Sequence, residues 1–104
     1  MYKIIMTNPA ANDLTNAVLY IADELDNKSA AIDLMNVAES LIHSLSDMPG
    51  RFPIVNDNIL AQQGIRMMKI KHYLAFYSIR EETKTVTVLR FLYAKRDWKN
   101  ILKI

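Results

Sequence analysis

Residues 65–98, IRMMKIKHYLAFYSIREETKTVTVLRFLYAKRDW, decide the fold. They read as three consecutive strands, 65–70, 73–80 and 85–93, rich in Ile, Val, Thr, Tyr and Phe. The connectors Lys71-His72 and Glu81-Glu82-Thr83-Lys84 are short and polar, so the strands form an antiparallel meander. Both faces of this meander are apolar. Regular alternation along the last strand points Leu89 and Phe91 one way and Val86, Val88 and Leu92 the other. One face needs a helical cover. The second needs the C-terminal turn or another molecule.

Upstream lies the cover. Tyr2–Met6 is an apolar run of strand length that joins the sheet most simply at an edge. Asn8-Pro9 reads as a helix start with Asn8 as cap, and Asp13 falls near the first turn. Leu14, Ala17, Val18, Ile21, Ala22 and Leu25 then recur at helical spacing. Ser29 reads as the cap of a second helix with the stripe Ile32, Met35, Ala38, Leu41, Ile42 and Leu45. Pro49-Gly50 stops it. The short joint at Asn27-Lys28 makes the two an antiparallel hairpin. Residues 51–64 are irregular, anchored by Phe52, Ile54 and Val55, with a short turn at Ile59–Ala61. Asp97 reads as the cap of a last turn holding Trp98, Ile101 and Leu102.

The expected architecture is therefore α+β: an N-terminal strand, an α-helical hairpin, a three-stranded antiparallel meander in one twisted sheet, and a short C-terminal helical turn. With 104 residues and 51% hydrophobic content, residues 1–104 suit a single domain. Cysteine is absent, which excludes disulfides and thiolate metal sites and fits a cytoplasmic protein. The first ten residues do not read as a signal peptide, and no run of about 18 apolar residues exists to span a membrane. The two histidines are far apart and no GK[ST] loop is present, so neither metal nor nucleotide cofactor is expected.

The net charge of +2 hides an asymmetry. Residues 1–64 hold three cations against eight acids, and residues 65–104 hold ten cations against three acids. Such a split suggests one polyanion-facing side, on the sheet.

The order βααβββ, the Pro49-Gly50-Arg51 after the second helix, the aromatic strand HYLAFY and the ending VLRFLYAKRDWKNIL together resemble the RelE/ParE superfamily of bacterial type II toxins. The resemblance covers nearly the whole chain, and the ending is its strongest part. It implies a toxin neutralised by a cognate antitoxin encoded beside it. It implies one of two actions. RelE-like members cleave mRNA without metal, usually in the ribosomal A site. ParE-like members inhibit DNA gyrase without known hydrolysis. A degenerate member that only binds antitoxin is the third alternative.

Metal-independent RNA cleavage needs a base, cations for the developing phosphorane, an acid and a surface for the target base. The candidates for catalysis are Arg66, Arg90, Tyr93 and His72. Tyr93 stands near where RelE-like members with a C-terminal catalytic tyrosine place theirs. Lys69, Lys71, Lys95 and Arg96 are the candidates for holding RNA phosphates. Arg90 and Tyr93 are three apart, so a regular strand puts them on opposite faces. Leu74, Ala75 and Leu92 stand where RelE-branch nucleases often carry Arg or His, and HYLAFYSI followed by VLRFLYAKRDW resembles the ParE-like or an unassigned branch at least as well. His43 reads as structural, and Arg80 as paired with Glu81 or Glu82.

Overall fold

The computed structural model describes residues 1–103. Strands β1 (Lys3–Met6), β2 (Arg66–Ile70), β3 (Tyr73–Arg80) and β4 (Thr85–Tyr93) form one sheet in the order β1-β4-β3-β2. The meander β2-β3-β4 is antiparallel, as its short connectors require. The N-terminal strand joins at an edge and runs parallel to β4. Helices α1 (Asn8–Leu19) and α2 (Lys28–Ser44) form the hairpin that covers one face.

Three local expectations shift by a residue or two. Thr7, not Asn8, caps α1: its hydroxyl accepts the Ala10 N–H at 3.1 Å. Asn27, not Ser29, caps α2 through the Ala30 N–H at 3.0 Å. The first helix does not run regularly to Leu25. It widens into a π-helical turn over Tyr20–Glu24, where the Leu25 N–H reaches the Tyr20 carbonyl.

The α2 stripe is also rotated from the expected one. Ala31, Leu34, Ala38, Ile42 and Leu45 are buried, while Ile32 is 61% and Met35 40% exposed. Two alanines in the buried row let the helix axis approach the sheet, which a row led by Ile32 and Met35 would hold off.

The faces of β4 are mixed because the strand bulges. Phe76 pairs with Arg90 but Tyr77 pairs with Val88, which leaves Leu89 without a partner. Alternation resets there. Val86, Val88 and Phe91 all enter the core under the helices, whereas Leu89 and Leu92 join the other face. This corrects the expected grouping of Leu89 with Phe91, and of Leu92 with Val86 and Val88.

That other face carries Leu74, Phe76 and Leu92. It is covered from within the chain by Val55, Leu60 on the short helix α3 (Asn58–Gln62), and Trp98, Ile101 and Leu102 on α4 (Trp98–Leu102). The irregular segment thus forms part of the core. Val55 is its buried anchor, whereas Ile54 is exposed. The segment extends the outer edge of β2 through the Val55 N–H to Ile65 and the Met67 N–H to Pro53. Tyr77, fully buried, fixes the preceding turn by donating to the Pro49 carbonyl at 2.5 Å.

Asp57 clasps this face together. It accepts the Ile59 and Leu60 N–H groups at the start of α3 and pairs with Lys103 at 2.9 Å. Its hydrogen bond from Lys103, then that from Leu60, holds its carboxyl below the ordinary value of 3.8. A depressed carboxylate contributes stability that is complete above its unfolded pKa and is lost as pH falls through the folded one. Titration from pH 5 to pH 2 should therefore change the fluorescence of Trp98, the single tryptophan. Lys103→Met should flatten that acid transition. An identical transition in the variant would show that the clasp is not what acid releases.

Candidate functional site

Where β4 outruns β1, its outer edge would be left bare. Pairing ends at Met6 and Val88. Thr7 takes over: its N–H donates to the Val88 carbonyl and its hydroxyl to the Leu89 carbonyl at 2.9 Å. Nearly two turns further along α1, Asp13 accepts the Phe91 N–H at 3.0 Å. The same carboxylate receives the Arg90 fork, Nε at 2.6 Å and Nη2 at 2.9 Å. Asp13 thereby holds Arg90 protonated above its ordinary range. The two charges are largely withdrawn from solvent and satisfy each other.

Beyond Asp13 lies a hollow of about 750 Å³ between the hairpin and the end of the sheet. Asp13, Asn16, Ala17, Tyr20, Ile21 and Leu25 line it from the helical side. His72, Tyr73, Phe91, Leu92, Tyr93 and Arg96 line it from the sheet. The π-helical turn is what brings Tyr20, Ile21 and Leu25 to its wall, and Asp26, in the left-handed region with φ 47°, ends that turn. Tyr73 stacks on Phe91 at 5.0 Å and meets Tyr93 edge-on at 5.6 Å. Burial, then the neighbouring Tyr93 and Tyr20, hold the Tyr73 phenol above its ordinary range, so it stays neutral. Tyr93 and Tyr20 are the open rings, 40% and 53% exposed.

The sheet register explains why cations gather at this end. Lys69 pairs with Leu74, which pairs with Leu92; Ile70, Tyr73 and Tyr93 form the next row. The hairpin tip Lys71-His72 follows, and the Ala94 N–H returns to the His72 carbonyl at 2.9 Å, placing Lys95 and Arg96 beside the tip. Lys69, Lys71, His72, Tyr93, Lys95 and Arg96 thus share one end of the sheet. Lys71 pairs with Asp33 of α2 at the surface.

Arg66 and Arg90 do not join them. Arg66 pairs with Tyr77, toward the opposite end of β2, and its Nη1 is held by the carbonyls of Phe52 at 2.6 Å and Gly50 at 3.2 Å. Arg90 is bound to Asp13, and the bulge precedes it, so its separation in parity from Tyr93 remains. Glu81 pairs with Lys84 and accepts the Tyr2 hydroxyl, in place of the expected partner Arg80. Reading by residue type missed Asp13 and Tyr20. The legible signal for Asp13 was an acid early in the first helix, taken as a dipole partner; nothing local marks Tyr20 as a wall residue. Among the described residues no group of three His, Cys, Asp or Glu side chains is placed to hold a metal.

The family model described as "ParE toxin of type II toxin-antitoxin system, parDE" matches residues 4–98, and the chain belongs to that family. No curated protein matches it in sequence. Among solved structures it is similar to a chain of the chromosomal ParDE system of P. aeruginosa, with TM-score 0.74 and 16% identity. That match covers 91% of this chain and 98% of the other. It is also similar to a chain of the RelBE2 toxin–antitoxin complex of Mycobacterium tuberculosis, with TM-score 0.56, 23% identity and coverage of 88% and 96%. Both likenesses bear on the fold. The chain is thus the toxin of a type II toxin–antitoxin module, with an antitoxin as its partner.

Proposed function

We propose that this toxin acts in the cytoplasm by inhibiting DNA gyrase, as ParE-like members do, and not by cutting mRNA. The observation that supports this is the state of Arg66 and Arg90. A metal-independent cut by the catalytic candidates Arg66 and Arg90 needs their guanidiniums free to take the charge of the phosphorane. Arg90 is spent on Asp13 and Arg66 on the carbonyls of Gly50 and Phe52. Added to supercoiling reactions, the purified toxin should stop gyrase and accumulate cleaved DNA. Unaffected gyrase would overturn the proposal.

One observation favours the nuclease reading. His72, Tyr93 and Arg96 line a single hollow, where they would serve as proton carrier, stacking or acid group, and phosphate ligand. The two readings part on Tyr93→Phe. General acid–base work contributes about 10²–10⁴-fold. Under the nuclease reading this variant loses roughly 100-fold or more of its mRNA cleavage, mapped by primer extension after induction, while antitoxin binding persists. Under the gyrase reading growth arrest is unchanged and no new transcript ends appear. A chain that binds antitoxin and arrests nothing would be the degenerate member.

A further inference from the structure

We infer that the free edge of β4 takes an extended antitoxin segment as a short added strand, and that Asp13 dictates the direction in which that strand runs. The state of the edge carries this. The Ala94 N–H bonds the His72 carbonyl, so alternation turns the backbone groups of Arg90 and Leu92 toward β3 and those of Phe91 and Tyr93 outward. Pairing with β1 stops at Val88 and leaves this stretch without a neighbouring strand. Four outward groups need partners. Two have them: the Phe91 N–H donates to Asp13, and the Tyr93 carbonyl accepts the Arg96 N–H at 3.0 Å. Among the described residues, the Phe91 carbonyl and the Tyr93 N–H have none. Both lie on the side of α1, where Phe91, Leu92 and Tyr93 line the hollow.

The two free groups select one orientation. An antiparallel partner exchanges both of its bonds with a single residue. At Phe91 the donor is held by Asp13, and at Tyr93 the acceptor is held by Arg96. A parallel partner gives its N–H to the residue before its opposite number and takes the N–H of the residue after. One residue set opposite Leu92 therefore satisfies the Phe91 carbonyl and the Tyr93 N–H together. The added strand continues the line of β1, which also runs parallel to β4. The residues on either side of that central one point toward the helices, beside Phe91 and Tyr93. Apolar side chains fit there, against the open rings of Tyr20 and Tyr93 and against Ile21 and Leu25. Past Tyr93 the strand meets Lys95 and Arg96, neither of which pairs with a carboxylate among the described residues, so acids follow. The inference concerns the antitoxin alone and does not rest on the gyrase reading.

Fluorescence anisotropy of purified toxin with the labelled peptide acetyl-Leu-Ser-Leu-Asp-Glu-amide tests it, together with amide exchange followed by NMR. Binding should slow exchange of the Tyr93 N–H and leave that of Phe91 unchanged. N-methylation of the central Ser should weaken binding about ten-fold, because the Phe91 carbonyl loses its donor. N-methylation of the second Leu should change little. Replacing the two acids by Gln should weaken binding at low salt and matter less at high salt. Asp13→Asn keeps an acceptor for Phe91 and should keep this pattern. Asp13→Ala frees the Phe91 N–H and should move the sensitive position to a flanking Leu; if that variant does not fold, the methylation pattern on the parent still decides. A peptide that fails to bind at millimolar concentration, or that binds equally well with its Ser methylated, would overturn the inference. So would slow exchange of the Tyr93 N–H in concentrated toxin alone, which would make the occupant a second copy of the chain.

Discussion

Asp13→Ala is expected to destabilise the protein by about 3 kcal/mol, lowering its midpoint of thermal unfolding by roughly 15 °C. Three hydrogen bonds go at once: two from Arg90 and one from the Phe91 N–H. Hydrogen bonds to a charged group are worth about 1.5–3 kcal/mol each when buried, and the partial exposure of Arg90 brings the sum down. The residual cost has two sources. Arg90 keeps its charge in a site without a counter-ion, and the bare edge of β4 keeps an N–H without an acceptor. The variants separate these. Asp13→Asn preserves an acceptor for Phe91 and should lose about half as much. Asp13→Ala with Arg90→Met removes the stranded charge and should recover about 1 kcal/mol. Urea unfolding of the three proteins reads these values. A loss under 0.5 kcal/mol for Asp13→Ala would show that water serves the edge as well as Asp13 does.

The role of Asp13 marks where sequence reading reaches its limit. Strand identity in 65–93 was legible because β-branched and aromatic runs, split by short polar connectors, admit few other folds. The helical hairpin was legible from its 3.6-residue spacing. The family was legible from the chain order and the ending. What was not legible was anything set by register. The bulge at Leu89 leaves no local trace, yet it reverses which residues of β4 face the helices. The rotation of α2 about its axis depends on how closely Ala31 and Ala38 let it approach, a property of the packed pair. Arg66 and Arg90 looked like site cations because an arginine on a strand carries no sign of its internal partner. Both partners lie far off in sequence, Asp13 by 77 residues and Gly50 by 16. Lys69 and Lys71 are near neighbours in sequence, as are Lys95 and Arg96, but it is the register of β3 with β2 and β4 that sets the two pairs at one end of the sheet.

Trp98→Ala is expected to cost about 3 kcal/mol, and its effect should extend beyond its own contacts. The sheet has two apolar faces, and only one lies under the hairpin. The other is closed by α3 and by five residues of α4, of which Trp98 packs on Phe76 with ring centroids 5.1 Å apart. A helix that short has no stability of its own, so its order comes from the residues it buries. Without the indole, Ile101 and Leu102 must hold α4 alone, and the Lys103 to Asp57 clasp is left at the end of a loose segment. The same segment carries Lys95 and Arg96, so the cationic end of the sheet loses its fixed geometry as well. Trp98→Phe keeps a ring over Phe76 and should cost about 1 kcal/mol. Because the variants lack the only tryptophan, far-UV circular dichroism in urea is the measurement, with dye binding to report the uncovered face. If Trp98→Ala unfolds at the same urea concentration as the parent and binds no dye, then Val55, Leu60 and Ile65 suffice to close that face, and α4 is a tether for the cations and not part of the core.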